Sequence, residues 1–171
     1  MDRRLPTRRA LLAGLAALPL APRLAAARQS RELAWEDLIP EGVPYGEITG
    51  QGRFDEADDI WVPEFDANGS RTVDAFDGMT VRIPGFITPL EYGAGGEVTE
   101  FLLAPFAGAC IHVPLPPPNQ IIHVTTQEGW PADAIWDAVW VTGDFRSNAS
   151  RTELADVGYE MHAGHIEIYE W

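Results

Sequence analysis

The 171-residue chain contains no lysine and a single cysteine, Cys110. One thiol closes no internal disulfide and supplies no paired Cys-x-x-Cys zinc motif. In an oxidising compartment a lone thiol is buried, metal-bound, reactive or joined to another chain. The cations are all arginine, twelve against 26 acidic residues, for a formal charge of −14. A surface so short of cations repels phosphate backbones and anionic headgroups, which argues against nucleic acid as a partner. Catalytic and nucleotide fingerprints are missing too: there is no GxSxG elbow, P-loop or dinucleotide-binding glycine pattern. Gly93–Gly96 reads as a hairpin turn, and "FDANGS" is too short for a calcium loop.

What is present begins with a leader. The start MDRRLPTRRALLAGLAALPLAPRLAAARQS joins a basic segment to an apolar run, Ala10 to Leu20, and then to small residues. Gly14, Pro19 and Pro22 interrupt the run, which is too short for a permanent membrane anchor. Ala25-Ala26-Ala27 fits a signal-peptidase site, and Thr7-Arg8-Arg9-Ala10-Leu11-Leu12 has the form of a twin-arginine motif. The expectation is a signal peptide over 1–27 and a soluble, periplasmic protein with no membrane insertion after cleavage. The remaining segment is one domain's worth of chain, with seven arginines against 25 acids.

Residues 28–78 are expected to form an irregular N-terminal arm, Gly-, Pro- and Asp-rich, anchored by Trp35, Trp61 and Phe65. From 79 to 171 the pattern turns to strands. Val81, Ile83, Gly85 and Ile87 recur at period two, with Pro84 and Pro89 marking an edge or bulge. EVTEFLLA (97–104) reads as the return strand of a hairpin, QIIHVT (120–125) as a third strand, and Val139–Phe145 as a fourth. His165, Glu167 and Tyr169 alternate in a fifth, and NASRTELADV (148–157) fits a short capped helix. Five strands in a meander predict a mainly β fold, a small OB-like five-stranded barrel, with a β-sandwich as the alternative.

The chemistry-bearing residues gather around Cys110. If Ala109 to Val113 is extended, Cys110 and His112 share a face. A thiolate and an imidazole together suit zinc or copper, and His123 stands beyond the stiff Pro116-Pro117-Pro118 bridge. His162 and His165 are further candidates. Against this stands the plain alternative that Cys110 is core, since free cysteine is among the most buried residue types. A third reading makes Cys110 a nucleophile with His112 or His123 as base, without any local cysteine-hydrolase signature to support it. The segment Pro116, Pro117, Pro118, Asn119, Gln120 reads either as a docking surface presenting exposed amides or as a rigid connector.

The run "VRIPGFITPLE…VTEFLLAPFAGACIHVPLPPPNQIIHV", with the later VWVTGDF and GYEMHAGHIEIY, resembles a family of exported bacterial proteins that carries a domain of unknown function. The likeness spans roughly Trp35 to Tyr169, and Leu115 departs from the family's proline run. The resemblance implies a periplasmic protein that accompanies ABC-type transporter components, with metal-ion homeostasis, zinc included, among the roles suggested. The combined expectation is a binding or accessory protein that handles a transition metal through Cys110, His112 and His123 in association with an ABC-type transporter. The alternative is a metal-free interaction module docking through the proline loop, and a cysteine-dependent enzyme comes third.

Overall fold

The computed structural model describes residues 30–55, 60–108 and 115–170; the segment expected to be a signal peptide, Glu56–Asp59, Cys110 and His112 lie outside them. Ten strands occur in this part of the chain. They are β1 (Arg31–Glu32), β2 (Arg53–Asp55), β3 (Ile60–Val62), β4 (Thr80–Tyr92) and β5 (Val98–Ala104), then β6 (Ile122–Trp130), β7 (Val139–Arg146), β8 (Ser150–Arg151), β9 (Asp156–Val157) and β10 (Tyr159–Ile168). No helix among the described residues is long and apolar enough to cross a membrane.

Five of the strands close on themselves. The order is β4-β5-β6-β10-β7, and β7 returns to pair with β4. Only the β6–β10 contact in this ring is parallel. Numbered within the barrel, the strands run 1-2-3-5-4-1, the OB arrangement predicted from the sequence. β1 adds a short sixth strand, parallel to β4. The long β4 serves two neighbours: Thr80–Gly85 face β7, and Phe86–Tyr92 face β5. Gly85 sits at the change-over, where a Cβ would come within 2.8 Å of the Ala104 carbonyl oxygen and the Leu103 side chain. The register slips after Pro89, the bulge its missing N–H predicts.

Alternation fills the barrel. Val81, Ile83, Phe101, Leu103, Ile122, Val124, Val139, Val141, Phe145, Tyr159 and Met161 form one buried cluster, and the arm contributes Leu33, Trp35, Leu38 and Phe76 to it. Trp35 and Leu38 come from the short 3-10 turn Trp35–Leu38. A second, smaller cluster lies outside β5, formed by Leu102, Ile121, Ala155 and Val157.

The capped helix expected over 148–157 is instead the β8–β9 hairpin. The Thr152 hydroxyl donates to the Ala155 carbonyl at 3.0 Å and accepts from the Ala155 amide at 3.1 Å. Such local side-chain bonds offer the backbone an alternative to the helix. The turn also lets Ala155 and Val157 bury against Leu102 and Ile121.

Candidate functional site

The proline segment is interior to the molecule. Pro116, Pro117, Asn119 and Gln120 are buried and Pro118 is half-buried. The amides read from the sequence as exposed recognition groups are therefore out of solvent, Asn119 at 0 % exposure. Asn119 Nδ2 donates to the carbonyls of Asn68 (3.0 Å) and Arg71 (2.9 Å), and Gln120 Nε2 donates to the carbonyl of Trp35 (3.0 Å). Pro117 lies under Gly46 and Gly69, where an added Cβ on either glycine would approach it to 3.0–3.1 Å. The segment thus seats the chain's own N-terminal arm. Of the three expected anchors, Trp35 is buried and Phe65 half-buried, whereas Trp61 is exposed.

His123 lies on β6, on the outer face of the barrel, and its Nε2 meets Glu100 Oε1 at 2.7 Å. When Nε2–H donates to the carboxylate, the neutral ring carries its lone pair on Nδ1. One strand across, Glu160 is opposite His123 and His162 is opposite Thr125. The Thr125 hydroxyl and His162 Nδ1 are 3.1 Å apart. On β7, Arg146 and Asp144 stand opposite Glu160 and His162. His123, Thr125, Asp144, Arg146, Glu160 and His162 line, with Met161, an open cleft of about 380 Å3. Its carboxylates outnumber its one guanidinium, so the imidazoles stand in a field that favours cations. His165 belongs elsewhere, past a bulge in β10 and 3.7 Å from Glu167.

Among the described residues no three His, Cys, Asp or Glu side chains are grouped closely enough to hold a metal ion. Of the expected ligand set, only His123 is within the described part of the chain. His162, named from the sequence as a further candidate, is in the cleft; sequence reasoning missed Thr125, Asp144, Arg146 and Glu160, although a signal exists. His123-Val124-Thr125, Glu160-Met161-His162 and Asp144-Phe145-Arg146 are each polar-apolar-polar, and each central residue is buried in the barrel. Three such triplets on neighbouring strands put six polar side chains on one outer face.

Residues 35–168 match the family described as protein of unknown function (DUF3299). The chain belongs to the DUF3299 family. A crystal structure of a DUF3299 family protein from Pseudomonas aeruginosa PAO1 is similar at 38% identity and a TM-score of 0.68, over 83% of this chain and 97% of that one. No curated protein matches the chain. The DUF3299 match takes in both the 3-10 turn at Trp35 and the last barrel strand, so it covers arm and barrel alike.

Proposed function

We propose that this DUF3299 protein is an exported binding protein that captures a transition-metal cation, zinc in the first instance, on the outer face of its barrel and passes it to an ABC-type transporter component. The observation that carries the reading is the 2.7 Å contact between His123 Nε2 and Glu100. A carboxylate that holds one ring nitrogen fixes the tautomer and raises the basicity of the other, the arrangement found behind metal-bound imidazoles. His162 on the adjacent strand supplies a second imidazole to the same cleft. Cys110 and His112 are proposed to complete the set. Periplasmic location is supported by the leader's form, and the transporter by the resemblance of the signature run.

The test is the zinc content of the full chain, purified without chelators or affinity-column metal. Near-stoichiometric zinc is expected, lost in His123→Ala and in Cys110→Ala and weakened in His162→Ala. A wild-type chain that neither retains zinc nor binds it by titration overturns the reading.

A further inference from the structure

The barrel carries an arm with no part in the cleft. Its two limbs run antiparallel for most of their length. Near the barrel Ile48 bridges Phe65, with the Thr49 amide donating to the Glu64 carbonyl (2.7 Å) and the Asp66 amide to the Glu47 carbonyl (2.9 Å). Further out β2 pairs with β3, with Phe54 opposite Trp61. Gly50 and Gly52, both at positive φ, let one limb kink between these two stretches.

The ribbon has an inner and an outer side. Val62 and Phe65 line a shallow apolar groove with Leu115, Pro116 and Ile121, so this side is seated on the proline segment. Phe54 and Trp61, as directly opposed residues, share a face. They are 55% and 42% exposed. Ile48 and Tyr45 are exposed as well, closer to the barrel.

Trp61 is also held in place. Its Nε1 donates to the Gln51 carbonyl at 2.8 Å, and its ring lies over Gly52, where a Cβ would come within 2.5 Å of the indole. A large aromatic that is both exposed and fixed loses little side-chain freedom when it is covered. Such residues are the usual anchors of protein interfaces. A fixed indole kept half in water serves the barrel core nothing, since that core is built without it.

Charge names the occupant. The described residues between 45 and 66 carry the acids Glu47, Asp55, Glu64 and Asp66 against one cation, Arg53. A second copy of so acidic a surface is repelled, and so is an anionic bilayer. We infer that the β2–β3 ribbon is a docking arm, with Phe54 and Trp61 as anchors, for a protein partner whose surface is apolar and rimmed with basic side chains. The inference stands apart from metal capture, because none of these residues lines the cleft.

The test places p-benzoylphenylalanine at position 54 of the full chain in the producing cell, irradiates, and identifies adducts by mass spectrometry. The expected result is an adduct to another protein through a surface rich in Arg or Lys. Its yield should fall about tenfold or more in Trp61→Ser and in the charge reversal Glu47→Arg/Glu64→Arg. It should be unchanged in Trp136→Ser, an exposed tryptophan outside the ribbon. Thermal melts of these variants confirm that the barrel is intact. No adduct, an adduct only to a second copy or to lipid, or a yield indifferent to Trp61 and to charge reversal each overturns the proposal.

Discussion

Tyr159 shows how much one hydroxyl holds. The side chain is fully buried, donates to the Leu38 carbonyl at 2.7 Å and accepts from the Val73 amide at 2.8 Å. It therefore ties two separate parts of the arm to the last barrel strand. Tyr159→Phe leaves a buried donor and a buried acceptor without their partner, and is expected to cost about 1–3 kcal/mol in urea unfolding. Burial, reinforced by Asp74 and opposed by the Val73 hydrogen bond, pushes the phenol up to about 12. The folded chain thus holds this proton more tightly than the unfolded one. The contribution is whole below the ordinary tyrosine value of 10.0 and is lost as pH rises from there through about 12. The stability gap between wild type and Tyr159→Phe should accordingly shrink in urea titrations above pH 10. A gap that stays constant shows the phenol to be unperturbed. At the cleft, Glu100→Gln keeps an acceptor beside His123 but removes the charge, and zinc affinity by titration calorimetry should fall about 10–100-fold. An unchanged affinity removes Glu100 from any positioning role.

The elements were legible to the extent that a two-residue period decides them. Val81-x-Ile83 and Val139-x-Val141 announced β4 and β7, and the bulge after Pro89 followed from the missing N–H. The β8–β9 hairpin was hidden because Thr152 closes a turn on Ala155 that a capping pattern cannot distinguish from a helix start. The cleft was legible only in part. His123 and His162 stood out as candidate ligands, but the residues around them come from β5, β7 and β10, and only the barrel's strand order brings them alongside. Asn119 and Gln120 misled because polar amides after prolines look like surface; nothing local shows that Asn68, Arg71 and Trp35 will cover them. Close approach of strands gives an element-scale prediction. A Cβ at Gly143 would run into the His162 carbonyl and come within 2.8 Å of Ala163 Cα. Gly143→Ala should force β7 away from β10 at the cleft, lower stability by about 1–3 kcal/mol, and weaken zinc binding along with it. A variant with wild-type melting and wild-type zinc affinity contradicts that packing.

At the scale of the molecule, arm and barrel are one folding unit. Leu33, Trp35 and Leu38 enter the main buried cluster, and the Trp35 indole donates to the Pro84 carbonyl at 2.7 Å. Burying side chains of this size contributes roughly 1.5–3 kcal/mol each, and whole domains are stable by only about 5–15 kcal/mol. A chain beginning at residue 79 is thus expected to lack a cooperative thermal transition by calorimetry, whereas the chain from residue 30 should melt cooperatively. A sharp transition in the shorter chain would show that the arm is an accessory.

The position of β10 has a consequence in time. This strand, the last of the chain, lies between β6 and β7, parallel to one and antiparallel to the other. Until it arrives, β6 and β7 each present an open edge to any other strand nearby. Synthesis of the first four barrel strands therefore produces no finished intermediate: β4 and β7 pair across the longest stretch of sequence in the ring, yet the sheet stays open between β6 and β7 until β10 fills the gap. The barrel shuts only once β10 is in place. The interval between the making of β7 and the arrival of β10 is when a chaperone that covers bare strand edges has its opportunity to act.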